Sequence, residues 1–261
     1  AAAANTVAYE WYLKGRFHWN RRTKDGFDRA IECFEHAIAA DPGYARGYAG
    51  LAGTYAVLPV WGYVPSRDAL AKAESHSRRA LELDPDLAEA HASYGAVLSN
   101  RYGDFEGSER EQRRAMELDP GSATAMCWCA TTLIARERFE EAQRLLEKAR
   151  RIDPLSIIVP YEMGDLHFLW RRLEEALNHY LQLVELEPSL PQAYSRGATA
   201  YAALGRYEEA LAILTRGEGR CGRTPDLTAT RGYVLAFMGR REEAQSLGLE
   251  LEERARTEYV P

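Results

Sequence analysis

The sequence has 261 residues, of which 46% are hydrophobic and 28% are charged, and its formal net charge at pH 7 is −6. Basic and acidic residues are interspersed, which excludes the concentrated positive surface of a typical nucleic-acid-binding protein. No nucleic-acid partner is therefore expected. No apolar stretch approaches the ~18–20 residues of a membrane span, and no secretory signal precedes the first predicted helix.

Four cysteines, Cys33, Cys127, Cys129 and Cys221, occur within helical patterns and without the paired spacing of a disulfide framework. Reduced thiols and a cytoplasmic location are therefore expected. Cys127 and Cys129 point to different sides of a helix because they are two residues apart. We predict no metal site and no cofactor.

A five-residue pattern, Arg-x-Glu-Glu-Ala, recurs four times at a fixed spacing of 34 residues. The copies begin at Arg138, Arg172, Arg206 and Arg240. Acidic-Pro pairs alternate with these copies, at Asp41-Pro42, Asp84-Pro85, Asp119-Pro120, Asp153-Pro154 and Glu187-Pro188. Self-similarity at one period indicates a solenoid of stacked units.

The segment from Gly121 to Pro154 shows what one unit contains. Apolar residues at helical spacing predict a first helix over 122–135 and a second helix from about Phe139 to Ile152. Asp153-Pro154 ends the second helix, because proline disfavours helical geometry in the residue before it. Each unit is therefore predicted to be a helix hairpin of ~34 residues.

Seven such hairpins are predicted in chain order, at about 7–42, 43–85, 86–120, 121–154, 155–188, 189–222 and 223–256. Residues 1–6 are assigned to disorder or to a cloning remnant, and 257–261 to the start of a truncated following repeat. Small residues recur in the first helices, at Gly15, Ala52, Gly95, Ala130, Gly164, Ala198 and Gly232. They predict a close approach of the paired helices.

Two hairpins depart from the pattern. The second carries an insertion from Leu58 to Asp68, in which Trp61 and Tyr63 either fold back over the first two hairpins, the favoured alternative, or present an aromatic contact. The sixth ends in the glycine-rich segment 217–222, which predicts a frayed or kinked helix end.

The spacing of Ala30, Phe34 and Ala37, together with the small residues and the terminal Asp-Pro pairs, resembles the tetratricopeptide repeat. The resemblance extends from about Val7 to Arg254. It implies an all-α fold, a right-handed α-solenoid of about seven helix hairpins.

A finer resemblance is carried by Ala8–Arg16 and His18–Thr23, which are similar to the first repeat of a group of bacterial multidomain signalling proteins. In that group the repeats follow a serine/threonine kinase, an adenylate cyclase or a winged-helix regulator. The ending Tyr259-Val260-Pro261 leads into another repeat there. The resemblance implies a fragment of a longer protein, with an upstream domain as a possible intramolecular partner.

The first helices of stacked repeats line the concave side, and their projected faces give the candidate partner-binding residues. These are Tyr12, Arg16, Trp19, Trp128, Thr131, Tyr161, Asp165, Phe168, Arg196 and Tyr233, with Trp61 and Tyr63 as possible loop contacts. For Trp128 and Tyr161, packing between repeats is the alternative interpretation.

No catalytic arrangement emerges from the sequence. The six histidines are scattered without zinc-hydrolase spacing, and no glycine-rich phosphate loop follows a predicted strand. We therefore predict a non-catalytic scaffold that binds a protein or peptide in the concave groove. A self-associating structural spacer and a small-ligand-sensing repeat domain are the alternatives.

Overall fold

The computed structural model describes residues 2–257, 259 and 260, with side chains described from Asn5 onward. Within these residues it contains fourteen α-helices and no β-strand. In chain order they are α1 (Ala2–Asn20), α2 (Lys24–Ala40), α3 (Ala45–Val57), α4 (Ser66–Leu83), α5 (Ala88–Tyr102), α6 (Phe105–Leu118), α7 (Ala123–Ala135), α8 (Phe139–Ile152), α9 (Ile158–Leu169), α10 (Leu173–Leu186), α11 (Pro191–Ala203), α12 (Tyr207–Cys221), α13 (Pro225–Phe237) and α14 (Arg241–Arg254).

The sequence predicts that residues 1–6 and 257–261 lie outside the seven hairpins. Helix α1 extends back to Ala2 and so includes most of the segment 1–6. Ala1, Glu258 and Pro261 lie outside the described residues, and the predicted further repeat at 257–261 is therefore only partly described.

The chain divides into two compact units. The amino-terminal unit ends at Asp153 and contains α1–α8, and the carboxy-terminal unit begins at Pro154 and contains α9–α14. Within each unit, every odd-numbered helix pairs with the helix that follows it, and successive hairpins pack side by side. The fold is all-α and built from helix hairpins.

Aspartate and proline together end the second helix of the first three hairpins. The backbone N–H of Asp41, Asp84 and Asp119 still donates to the carbonyl four residues earlier. The Oδ1 atom of each then accepts the N–H two residues further on, at 2.9, 3.2 and 3.0 Å respectively. The proline that follows each aspartate has no N–H to continue the helix. The turn to the next hairpin is thus specified locally.

The recurring Arg-x-Glu-Glu-Ala pattern begins the second helix of the later hairpins. Arg138, Arg206 and Arg240 each immediately precede such a helix and form an ion pair with the second glutamate of the pattern. The pairs are largely exposed, so each contributes only ~0–1 kcal/mol. Their main effect is to define where the helix begins.

The small residues of the first helices face bulky side chains of the second helices. A Cβ atom at Gly15 or Gly50 would lie 2.5 or 2.6 Å from Cε1 of the fully buried Phe34. Only glycine leaves room for the ring at these two positions. Helices α1 and α3 can therefore both pack against α2 around one aromatic side chain.

The insertion after α3 packs against the first hairpin. Trp61 is 8% exposed, and the Tyr63 hydroxyl donates to the Arg22 carbonyl oxygen at 3.2 Å. The Tyr63 ring also lies 6.0 Å from the ring of Phe27. The aromatic residues of the insertion thus cover the turn between α1 and α2.

The glycine-rich end of the sixth hairpin is helical. Helix α12 continues without a break to Cys221, so the expected frayed end is wrong. The reason is packing, because a Cβ atom at Gly217 would lie 2.7 Å from Cγ of the fully buried Tyr194. Gly222, at φ +76°, ends the helix.

Candidate functional site

The odd-numbered helices of the amino-terminal unit surround a cavity of about 630 Å³. All four of them, α1, α3, α5 and α7, contribute side chains to its wall. The large and charged members of that wall include Tyr9, Tyr12, Arg16, Trp19, Arg46, Asp84, Asp86, Glu89, Asp119 and Trp128. Four of the sequence-predicted binding residues, Tyr12, Arg16, Trp19 and Trp128, therefore come together at one place.

Small residues of α3 create the space. Ala49, Gly50 and Gly53 lie in the cavity wall. A Cβ atom at Gly53 would lie 3.3 Å from Ser93 Oγ and 3.4 Å from Trp128 Cη2. A larger side chain at Gly53 would extend toward these two residues and narrow the cavity.

A polar network crosses the cavity from α1 to α5. The Tyr12 hydroxyl donates to Glu89 Oε2 at 2.8 Å, and the Arg16 guanidinium forms an ion pair with the other oxygen of the same carboxylate. Burial and the adjacent Glu89 carboxylate raise the pKa of Tyr12 well above its ordinary value. Tyr12 therefore remains a hydrogen-bond donor throughout the physiological pH range.

Two tryptophans form the aromatic part of the wall. The rings of Trp19 and Trp128 meet edge to face, with 6.3 Å between their centroids. The guanidinium carbon of Arg22 lies 3.4 Å from the centre of the Trp19 ring. Trp19 is 3% exposed, whereas Trp128 is only partly buried. Trp128 is thus the more accessible ring of the pair.

Three carboxylates lie where the preceding hairpins end. Asp84, Asp86 and Asp119 line the cavity beside the starts of α5 and α7. Asp84 and Asp119 belong to Asp-Pro pairs, which the sequence analysis connected only with helix termination. Their position in the cavity wall was not predicted. The available signal was that each pair immediately precedes the first helix of the next hairpin.

The carboxy-terminal unit brings three other predicted residues together. Arg196 donates to the Tyr161 hydroxyl oxygen at 3.1 Å and forms an ion pair with Asp165 at 3.4 Å. The Tyr180 hydroxyl donates to Asp165 Oδ1 at 2.6 Å. Burial raises the pKa of Asp165, although Arg196 and the Tyr180 hydrogen bond act in the opposite direction. This network links α9, α10 and α11.

A second carboxylate beside this network was not predicted. The Ser195 hydroxyl donates to Asp226 Oδ2 at 2.5 Å, which links α11 to α13. Burial raises the pKa of Asp226. The sequence predicted Arg196 as a binding residue but gave no reason to place Asp226, at the start of the next hairpin, beside the neighbouring Ser195.

Comparison with known proteins supports the fold but does not assign the chain to a sequence family. No protein-family model matches the chain, and no curated protein is similar to it in sequence. A solved tetratricopeptide repeat protein from Parabacteroides merdae superposes with a TM-score of 0.61 at 16% identity, covering 95% of this chain and 93% of its own. This is the tetratricopeptide-repeat fold.

Two further tetratricopeptide-like structures are similar. Human IFIT1, in a dimer with PPP-AAAA, gives a TM-score of 0.77 at 18% identity over 91% of this chain. The chain spans 58% of the IFIT1 chain. PilF of Pseudomonas aeruginosa gives 0.56 at 22% identity, covering 81% of this chain and 95% of PilF.

The remaining predicted residues neither line the cavity nor take part in the hydrogen bonds of the carboxy-terminal network. Thr131 is exposed on α7, and its hydroxyl donates to the Cys127 carbonyl at 3.0 Å. Phe168 packs against the core around Tyr180. Tyr233 is 45% exposed and lies 4.7 Å, between ring centroids, from Phe237 on the same repeat helix. Trp61 and Tyr63 are not part of the cavity wall.

Other kinds of site were sought across the described part of the chain. No cluster of three or more His, Cys, Asp or Glu side chains there could hold a metal ion. None of the helices described there is both long enough and apolar enough to span a membrane.

Proposed function

We propose that the chain is a non-catalytic protein-interaction scaffold and that its amino-terminal unit binds a peptide, or a projecting segment of a neighbouring domain, in the cavity. The observation that carries the proposal is the convergence of aromatic and charged side chains from four repeats on one space of about 630 Å³. That volume is within the range of ligand-binding pockets. Aromatic anchors in such spaces supply most of the energy in many protein interfaces.

The side chains of the cavity divide into two roles. Tyr12, Arg16 and Glu89 are bound to one another and hold α1 against α5. Tyr9, which is 45% exposed, and the partly buried Trp128 remain accessible to a partner. We assign the first three to shaping the cavity and the last two to anchoring the bound segment.

The charge of the cavity favours a peptide over an anionic oligonucleotide. IFIT1 structures hold m7Gppp-AAAA or PPP-AAAA, which carry several phosphates. Here four carboxylates and only two guanidinium groups line the cavity. A phosphate chain would meet net repulsion, since like charges at an interface disfavour association.

We propose that the carboxy-terminal unit provides a second contact surface. Tyr233 offers an exposed aromatic ring next to Phe237, which is 60% exposed. Tyr161 and Asp165 are more deeply placed and hold Arg196, whose side chain is 46% exposed, ready for an acidic group. We assign this surface to a further partner contact.

The cellular setting is also part of the proposal. The resemblance of the first repeat to that of bacterial signalling proteins supports a docking module within a larger signalling protein. The cysteines lack the paired spacing of a disulfide framework, and we therefore place the chain in the cytoplasm. Sequencing the gene on both sides of this segment tests the first point, because a kinase, cyclase or DNA-binding frame upstream is expected.

Selection from a displayed library of random peptides tests the scaffold function. We expect the purified chain to enrich a peptide family, and Tyr9→Ala or Trp128→Ala to weaken its binding by about tenfold or more. Leu249→Ala, at a 60% exposed position of α14, is the matched control and should bind normally. Tyr9 is 45% exposed, so Tyr9→Ala is the cavity variant that disturbs packing less. Failure to enrich any peptide, or full binding by both cavity variants, would contradict the proposal.

A further inference from the structure

We infer that the segment bound in the amino-terminal cavity is positively charged and places a lysine or arginine side chain beside Asp84 and Asp119. This inference rests on the proposed scaffold function and specifies the chemistry of the partner. It follows from the charges, the aromatic rings and one unsatisfied polar atom of the cavity.

The cavity wall keeps more negative than positive charges once its ion pairs are counted. Arg16 neutralises Glu89, and Arg114 on α6 neutralises Asp86 with a distance of 2.8 Å. Asp84 and Asp119 have no cationic partner among the described residues, and each accepts only a backbone N–H. The single remaining cation of the wall is Arg46. Two unpaired carboxylates therefore face one guanidinium.

The aromatic rings suit a basic side chain. Lysine and arginine pack their aliphatic stems along apolar surface while the charged end reaches a polar group. A cation over the face of a tryptophan or tyrosine gains additional electrostatic stabilisation. Tyr9 and Trp128 line the same cavity as Asp84 and Asp119, so a bound basic segment meets both kinds of group in one space.

An independent observation points to a bound main chain. Trp19 lines the cavity and is 3% exposed, and its Nε1 atom has no hydrogen-bond partner in the described structure. An indole nitrogen can only donate, and a buried donor without an acceptor is costly. Because Nε1 is fully covered in this structure, a carbonyl oxygen of a bound peptide satisfies it only if the Trp19 ring shifts as the peptide enters.

The test measures whether the chain prefers a basic peptide to a neutral one, and an equivalent aspartate in another repeat provides the control. From the library selection, one enriched peptide is compared with its variant in which every Lys and Arg is replaced by Gln. We expect the basic peptide to bind about tenfold more tightly, and the preference to fall as salt is raised. The double variant Asp84→Asn, Asp119→Asn should reduce the preference to less than about threefold.

Asp41→Asn is the matched control. Asp41 ends its helix with the same turn, in which Oδ1 accepts the Gly43 N–H at 2.9 Å, but it does not line the cavity. Asparagine retains an oxygen for this hydrogen bond at all three positions, so the variants differ only in the charge facing the cavity. The Asp41→Asn chain should keep the full preference, and Arg46→Gln should strengthen binding of the basic peptide.

The outcomes separate this inference from the scaffold function. Enriched peptides that require Trp128 but show no charge preference would overturn the inference and leave the scaffold intact. Enrichment of acidic peptides would overturn it as well. An absence of any enriched peptide would overturn both.

Discussion

The clearest structural prediction concerns two glycines at equivalent positions of different repeats. Gly164 lies in α9 and Gly232 in α13, each on the first helix of its hairpin. A Cβ atom at Gly164 would lie 2.6 Å from Tyr180 Cδ1, whereas at Gly232 the nearest atoms would be 3.8 Å away. The same substitution, glycine to alanine, should therefore have opposite effects at the two sites.

The magnitudes follow from these distances. Tyr180 is 1% exposed, and its hydroxyl is held by Asp165 at 2.6 Å, so the ring has little freedom to move aside. Overpacking of this kind costs ~1–3 kcal/mol. Alanine inside a helix is favoured over glycine by ~0.5–1 kcal/mol. Gly164→Ala should thus be destabilising by up to about 2.5 kcal/mol, and Gly232→Ala should be stabilising by up to about 1 kcal/mol.

Urea unfolding followed by circular dichroism measures both variants against the parent chain. Because repeat arrays can unfold in stages, the transition assigned to the carboxy-terminal unit is the one to compare. Equal stabilities of the two variants, or a stabilised Gly164→Ala chain, would refute the packing of Tyr180 against α9.

Two further predictions concern buried polar groups. Trp19→Phe removes the unpartnered N–H together with part of a buried ring, so peptide affinity should fall about three- to tenfold and thermal stability should fall modestly because packing is lost; unchanged affinity would show that the indole nitrogen has no ligand acceptor. Arg196→Met removes the ion-pair partner of Asp165 and should cost ~1–2 kcal/mol at pH 7, because Arg196 is partly exposed. The folded-state pKa of Asp165 is already raised by burial and should rise further, so this carboxyl destabilises the fold as pH increases above the ordinary aspartate range. The deficit of Arg196→Met relative to the parent should therefore shrink as pH is lowered toward about 4, and a deficit independent of pH would contradict the role of Asp165.

The repeat architecture was predictable because its determinants are local. Asp41 and Asp119 end helices through hydrogen bonds to residues two positions away. The arginine of each Arg-x-Glu-Glu-Ala copy lies directly before a helix, and in three copies it pairs with a glutamate three residues later. Such short-range patterns can be recognised in a sequence without knowledge of tertiary contacts.

The site was predictable only in part, since its chemistry depends on distant contacts. Tyr12 is bound by Glu89, 77 residues away in the chain, and periodicity gives no information about such a pairing. Asp84 and Asp119 each accept a hydrogen bond in the turn that ends a helix, and they also line the cavity. The sequence pattern indicates only the first of these roles. Gly217 interrupts the local helical pattern of α12, and only its contact with the ring of Tyr194 explains why no side chain is present there.

The position of a selected peptide on the chain is the most direct test of the central claim. A structure of the complex, or photo-crosslinking from the peptide followed by mass spectrometry, would locate it. We predict contacts with Tyr9 and Trp128, between α1 and α7, with a basic side chain beside Asp84 or Asp119. A peptide bound to the even-numbered helices, with the cavity left open, would contradict the account.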